Sequence, residues 1–414
     1  MVGRGRMAAS QVLYLSSAIG LGHLSKDLAI AHELRLLLPD VELLWLAGHP
    51  ASEALRDAGE NVLPEASRWR GGTEVIERTM RDGRIDLVKY VYRSFPSWAR
   101  NMALVKGVVE RHGVDLVVGN EAWEVDVPLI MRVLRFPVPF VLITDFVGMD
   151  ALGPGLLDRV AAYPLNVLWN FDRTVYTGGK HSAIFIGESE DIADMPLGWL
   201  LESKRKHAEA NYDIVGHVIR FRPEEYADRA ETRRRLGYDD RPLIICSVGG
   251  TSVGKALLEL CAEAFPLLRE HLPSVRMILV CGPRIPLESV RVRDGVELRG
   301  YVSALFEHHV CCDVAVGQCG ASSTTELAAL GTPFIYFPID GHFEQEVVAA
   351  RLARYGVGVR MSLSETTPAR LAEAILGEYG RPVNRCPLPV DGARKAAQHI
   401  ASVLSHERRA ASPL

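Results

Sequence analysis

Three observations predict that this 414-residue chain is an α/β protein of two doubly wound parallel sheets. Short apolar runs without polar alternation, such as Val12-Leu-Tyr-Leu-Ser16, read as strands buried on both faces. Segments with an apolar stripe at helical spacing separate them, which is the pattern of a parallel sheet covered by helices. The series also starts twice, at Val12 and again at Leu243, each time as strand, glycine loop and helix.

In the first half, the loop Ala18-Ile-Gly-Leu-Gly22 leads into a helix expected from His23 to Leu38. Leu24, Leu28, Ala31, Leu34 and Leu38 form its stripe, and Pro39 stops it. Val41–Leu46 reads as the second strand, Ile85–Arg111 as a long helical region and Asp115–Gly119 as a strand. A helix near Val125–Leu134 and a strand over Val138–Thr144 follow. From Gly153 to Asp228 the pattern is less regular, with Ser182–Ile186 and Tyr212–Val215 as further strands and Arg222-Pro223-Glu-Glu225 as a linker. The second series opens with Leu243–Ser247 and the loop Val248-Gly-Gly-Thr-Ser-Val-Gly254, and continues through strands Met277–Cys281, Val296–Leu298, Asp313–Val316 and Pro333–Phe337. The expected domains are 1–222 and 223–390, with residues 391–414 forming a last helix, from Asp391 to Leu404, placed to pack back on the first half.

Apolar residues make up 48% of the chain and charged residues 24%, enough apolar material for two full cores. That balance excludes a disordered, collagen-like or disulfide-scaffold protein. The 47 basic and 51 acidic residues leave a net charge of −4, so no global positive field attracts nucleic acid. Seven cysteines, all at or beyond Cys246, make no disulfide framework, and a reduced, cytoplasmic protein is expected. The most apolar stretch, Pro128 to Phe146, is broken by Arg132, Arg135 and Asp145 and does not read as a membrane span. Arg4 and Arg6 ahead of Val12–Leu15 loosely mimic a signal peptide, but the apolar run is short and leads into a glycine loop, so no cleaved signal is expected.

Both glycine loops lie beyond the carboxyl end of a first strand, where an α/β sheet binds ligands. Glycines let backbone N–H groups approach phosphate oxygens, and the helix N-terminus adds about half a positive charge. Gly20-Leu-Gly22 lacks the third glycine of a dinucleotide fingerprint, and Val253-Gly254-Lys255 completes no P-loop. For each loop a tight turn is as good a reading as a phosphate cradle. Asp313-Val-Ala-Val-Gly-Gln-Cys-Gly-Ala-Ser-Ser-Thr-Thr-Glu326 is richer: a strand feeds a small-residue turn, and four hydroxyl residues open a helix. Glu326, one turn in, is placed to accept hydrogen bonds from a ribose diol. The local pattern also fits a capping box of Ser323 and Glu326, and taken alone it favours the cap.

With its sequel Asp340-Gly-His-Phe-Glu344-Gln345, this constellation resembles the donor-binding signature of GT-B glycosyltransferases. The similarity is to the membrane-associated N-acetylglucosaminyltransferases of peptidoglycan synthesis and to the UDP-glycosyltransferase superfamily. Gly20-Leu-Gly22-His23, with Leu28-Ala29 and Leu34, resembles the N-terminal glycine loop and helix of the same families. Motif matches fall mainly in residues 16–34 and 246–358. The resemblance implies two Rossmann-like doubly wound domains facing a cleft, the N-terminal one binding acceptor and the C-terminal one donor. It implies an inverting hexosyltransferase that moves a sugar from a nucleotide-diphosphate sugar, UDP-linked, to an acceptor hydroxyl. The partners it implies are that donor and a small-molecule or lipid-linked acceptor.

Carried onto this sequence, the resemblance places Gly249, Gly250 and Thr251 at the donor diphosphate, with backbone at Tyr301 and Val302 on the nucleobase edge. Ser322, Ser323 and Thr324, in the turn that includes Gly320, would hold phosphate, and Glu326 the ribose. Glu344 and Gln345 would contact sugar hydroxyls. His23, behind the acceptor-side glycines Gly20 and Gly22, matches the histidine proposed in much of the superfamily as general base or as an active-site contact. Three departures stand out: Gln318 replaces the usual His or Arg before the Cys-Gly turn, Val348 the expected asparagine, and Ala321-Ser322 a plant-type Trp-Asn. An amide at Gln318 can bond phosphate but supplies no charge.

Displacement at the anomeric carbon needs a base for the acceptor hydroxyl, and a histidine near its free pKa of ~6.5 serves at neutral pH. Glu121, ahead of Glu124 and Asp126 and just after the strand ending at Gly119, is the expected carboxylate partner of His23. The sequence holds no DxD tripeptide of the metal-binding kind, so no metal and no obligate cofactor is expected. His308-His309-Val-Cys311-Cys312 has no second ligand pair nearby and does not read as a zinc site. Arg132 and Arg135 around Leu134, Phe136 and Val138, with Leu165, Val167, Leu168 and Trp169 downstream, would give a peripheral contact at the inner face of the membrane if the acceptor is a lipid. A packed core with solvated arginines is the favoured reading of those residues. A nucleotide-sugar epimerase and a catalytically silent nucleotide-sugar-binding protein are the alternatives, the latter resting on Gln318 and Val348.

Overall fold

The computed structural model describes residues 10–16, 21–49, 51–70, 80–81, 84–85, 87–133, 135–149, 156–177, 179–249, 254–339 and 343–411. The chain forms two compact units, Met1–Arg220 with Val390–Leu414, and Phe221–Pro389. The first contains strands β1 (Gln11–Ser16), β2 (Glu42–Ala47), the short hairpin β3 (Met80–Arg81) and β4 (Arg84–Ile85), β5 (Leu116–Asn120), β6 (Phe140–Thr144), β7 (Ser182–Phe185) and β8 (Asp213–Ile214). Its main sheet has the order β2-β1-β5-β6-β7-β8, and the hairpin stands apart as a two-stranded sheet. All pairings within the main sheet are parallel.

The second unit holds β9 (Leu243–Ser247), β10 (Arg276–Val280), β11 (Val296–Arg299), β12 (Val314–Gln318), β13 (Phe334–Phe337) and β14 (Val359–Arg360). Their order is β11-β10-β9-β12-β13-β14, again parallel throughout. In each sheet the first strand lies inside, the chain runs outward on one side, then returns to build the other. The reversal falls between β1 and β5 and between β9 and β12, and at such a switch point the loops beyond the strand ends part to leave a crevice.

Apolar runs without alternation become strands packed on both sides. Leu13 and Leu15 of β1 join the core on one face of the first sheet, while Val12 and Tyr14 join the core on the other. The helix Leu21–Leu37 contributes Leu24, Ile30 and Leu34 to the second of these cores. A long helix returning from the second unit, Gly392–Ala411, lays Ala393, Ala396, Ala397, Ile400 and Leu404 into it. At Gly392 a Cβ would stand 2.6 Å from the His217 carbonyl oxygen, so only glycine lets the chain enter this helix so close to its neighbour.

Two expectations need correction. The helix expected to open at Ser323 starts at Ala321, with Gly320 as its N-cap and no side-chain cap bond, so Ser323-Thr-Thr-Glu326 is not a capping box. The irregular stretch after Gly153 contains the helix Leu156–Phe171, obscured in the sequence by Pro164 within it. Phe136 and Trp169 are buried in the first unit's core, in line with the favoured packed-core reading. Among the described residues no helix is long and apolar enough to cross a membrane.

Candidate active site

In the first unit the carboxyl ends of β1, β5 and β6 meet the first turns of the helix Leu21–Leu37. That convergence brings His23 and Glu121 together, His23 Nε2 lying 3.8 Å from Glu121 Oε2. Glu121 follows β5 with φ of 50°, in the left-handed region that a glutamate enters only at a cost of ~1–3 kcal/mol. Its backbone N–H donates to the Ile143 carbonyl at 2.9 Å, which ties the turn to β6. Lys26, one turn beyond His23, donates through Nζ to Asp145 Oδ2 at 2.5 Å. Behind them Asp27 is fully buried and accepts from Ser16 Oγ at 2.6 Å, Asn120 Nδ2 at 2.7 Å and Tyr14 OH at 3.2 Å.

Burial sets the protonation of this cluster. It pushes the His23 imidazole below its ordinary range; the Asp145 charge opposes that, Lys26 adds to it, and a hydrogen bond donated by the imidazole to Asn120 opposes it. His23 is therefore neutral at pH 7 and able to accept a proton. Burial pushes Asp27 up to about 7, against the hydrogen bonds from Ser16, Asn120 and Tyr14 and the charge of Lys26. Burial also acts upward on Asp145, but the Lys26 charge and the hydrogen bond it donates outweigh it and hold that carboxyl below the usual range. Gly22 lies in the first helical turn, and Gly20 lies outside the described residues.

In the second unit the ends of β9 and β12 bring Gly249 and Gln318 together: the Gly249 N–H donates to Gln318 Oε1 at 3.2 Å. The turn at Gly320 then opens the helix Ala321–Leu330, which presents Ser322 and Ser323 half-buried at its start. Thr324 turns inward, its hydroxyl donating to the Gly320 carbonyl at 2.8 Å. Glu326 is buried one turn into the helix. Gln345 Oε1 accepts from the Ile339 N–H at 2.8 Å, while Glu344 beside it is exposed. Tyr301, in the loop after β11, is exposed and Val302 half-buried. Gly250, Thr251 and the segment 340–342 lie outside the described residues.

Two groups of His and acidic side chains gather closely among the described residues: His23, Glu121 and Asp145, and Glu188, Asp191 and His217, each with atoms within 4.8 Å of one another. In the first, the Lys26 ammonium already supplies the positive charge at Asp145. His308, His309, Cys311 and Cys312 form no such group; burial pushes the Cys311 thiol up to about 11 and His309 down to about 3. Lys26, Asp27 and Asp145 were not singled out from the sequence. The signal that pointed to Glu121, an acidic residue directly after an apolar strand, applies equally to Asp145 after β6.

Two parallel six-stranded α/β domains, each with polar residues gathered at the switch point, make up the fold seen in GT-B glycosyltransferases. The sequence profile of the glycosyltransferase family 28 C-terminal domain matches residues 244–385. An uncharacterized glycosyltransferase of Methanopyrus kandleri is 26% identical over 340 residues, 80% of this chain and 89% of that protein. The UDP-N-acetylglucosamine–N-acetylmuramyl-(pentapeptide) pyrophosphoryl-undecaprenol N-acetylglucosamine transferase of Bifidobacterium longum is 24% identical over 392 residues, 87% of this chain and 89% of that protein. Among solved structures, the glycotransferase of kitacinnamycin superposes with a TM-score of 0.61 at 15% identity, over 96% of this chain and 97% of that one. Profile and relatives alike are transferases, which favours transfer over epimerisation.

Proposed function

We propose that the protein transfers a sugar from a UDP-linked donor to an acceptor hydroxyl with inversion and without an obligate metal. The donor would bind the second unit (223–390) and the acceptor the first (1–222). The observation that carries the reading is the strand-turn-helix of β12, Gly320 and Ala321–Leu330, with Glu326 buried one turn in and Gly249 beside the strand end. Backbone donors and a helix N-terminus aimed at a diphosphate stabilise the charge that grows on it as it leaves. His23, neutral and next to Glu121, would take the proton of the acceptor hydroxyl.

A lipid-linked acceptor, like the undecaprenol compound in the name of the Bifidobacterium relative, would bring the protein to the inner face of the membrane from the cytoplasm. A small-molecule acceptor would not. Thermal unfolding with UDP and with dTDP, on wild type and Glu326→Ala, tests the donor site. A nucleotide at 100 times its dissociation constant adds about 2.7 kcal/mol to stability. UDP is expected to stabilise the wild type, and Glu326→Ala to lose most of that gain. No shift with UDP refutes the donor assignment.

A further inference from the structure

A second group of converging side chains stands at the ends of β7 and β8, on loops that the proposed transfer does not use. Glu188 and Asp191 follow β7, His217 follows β8, and the three offer ligand atoms that all lie within 4.8 Å of one another. His217 Nε2 is 3.4 Å from Glu188 Oε2 and 3.5 Å from Asp191 Oδ2. Both separations exceed the roughly 2.7–3.2 Å of an ordinary N–H···O bond. They match the edge of a tetrahedron instead: around an ion with bonds of about 2.0–2.1 Å, neighbouring ligand atoms stand about 3.3–3.4 Å apart. The side chains of His217 and Asp191 are only 4% and 2% exposed.

The backbone is shaped to bring these atoms together. Gly187 and Gly216 exchange two hydrogen bonds of 3.0 Å, which ties the loop after β7 to the loop after β8. Gly187 has φ of 143°, and a Cβ there would stand 3.1 Å from Asp191 Oδ2 and 2.8 Å from the Phe185 ring. Only glycine therefore leaves the space that the carboxylate occupies. Asp191 Oδ2 is fixed in it by the Glu188 N–H, which donates at 3.0 Å.

We propose that Glu188, Asp191 and His217 bind one divalent transition-metal ion of the zinc class, with solvent as the fourth ligand. One imidazole nitrogen and two carboxylate oxygens suit such an ion. A neutral imidazole with two carboxylates carries two negative charges, and buried charges are paired or coordinate a metal. The His217 carbonyl accepts the Gly392 N–H at 3.0 Å, and Val218 pairs with Asp391. The ion thus fastens the place where the chain leaves the first unit, before Phe221, and re-enters it at Val390. It has no step in the transfer, since His23 and Glu121 belong to other strand ends.

The test is titration of the full chain, stripped with a chelator, first with Co²⁺ and then with Zn²⁺. Tetrahedral Co²⁺ absorbs strongly in the visible and octahedral Co²⁺ only weakly. The wild type should take up one Co²⁺ per chain with the strong spectrum, and Zn²⁺ should displace it. His217→Gln and Glu188→Gln should each weaken uptake about a hundredfold or more, because even the partners behind metal ligands cost ten- to a hundredfold. His23→Gln should leave uptake unchanged, which separates this group from the one at His23. Zn²⁺ should also raise the urea midpoint of the wild type and leave that of Glu188→Gln unmoved. No uptake or no midpoint shift in the wild type, a weak octahedral spectrum, uptake kept in Glu188→Gln, or uptake lost in His23→Gln overturns the proposal. If His217→Gln does not fold, Glu188→Gln decides alone.

Discussion

Gln318 turns its amide oxygen toward Gly249, and that orientation fixes what else the side chain can offer. A backbone N–H only donates, so Oε1 must face it and the two Nε2 hydrogens face away. The turn before the helix Ala321–Leu330 thus presents a neutral donor rather than a cation. Gln318→Arg should tighten UDP binding about tenfold and make it more sensitive to salt, since charge-assisted hydrogen bonds are roughly twice as strong as neutral ones. Gln318→Ala should weaken UDP binding about fivefold. Calorimetric titration at two salt concentrations reads both. Gln318, His23 and Glu121 stand out in the sequence because each follows a strand or a glycine loop directly. Lys26 and Asp145 do not: Lys26 reads as a charge on an amphipathic helix, and Asp145 as an interruption of an apolar stretch. Only the lateral pairing of β1 with β5 and β5 with β6 sets them beside His23.

At the level of elements, the strands were legible because burial on both faces leaves an unbroken apolar run, as in Leu243–Ser247. Helix starts were less so. Ser-Thr-Thr-Glu satisfies the rule for a cap, yet Gly320 in an extended conformation lets the helix begin a turn earlier, and no local pattern separates the two. The two-residue strand β14 carries no periodicity at all and exists through its pairing with β13. The helix Gly392–Ala411 is amphipathic, but what it covers lies nearly the whole sequence away, on Leu21–Leu37. Ile400 is fully buried there, so Ile400→Ala should cost ~2–5 kcal/mol in urea unfolding. Gly392→Ala should also destabilise, through the approach of its Cβ to His217.

For the molecule as a whole, the first unit carries an unusual load of buried acid. Burial pushes Asp27, Glu124 and Asp126 each up to about 7; the Tyr176 hydroxyl opposes this at Asp126 and the nearby Asp172 adds to it. Between about pH 4 and pH 7 the folded chain keeps protons on these groups that the unfolded chain has released. The stability these three groups carry should therefore fall as pH rises through that window and level off above it, opposed by His309 and His181, which burial pushes down to about 3 and about 4. Denaturant midpoints from pH 5 to pH 8 check the slope. Asp126→Asn, which keeps an acceptor for the Tyr176 hydroxyl, should flatten it and gain on the order of 1–4 kcal/mol over wild type at pH 8.

The return of the chain from Pro389 into the first unit also orders events on the ribosome. The stripe of Leu24, Ile30 and Leu34 is made early, yet the side chains that cover it, Ala396, Ile400 and Leu404, follow only after the whole second unit has been translated. At about 5–20 residues per second the 362 residues from Leu34 to Ala396 take on the order of twenty to seventy seconds. Throughout that interval the nascent first unit holds an open apolar groove, a site for a chaperone such as those that greet newborn chains, and the second unit can finish folding before the first.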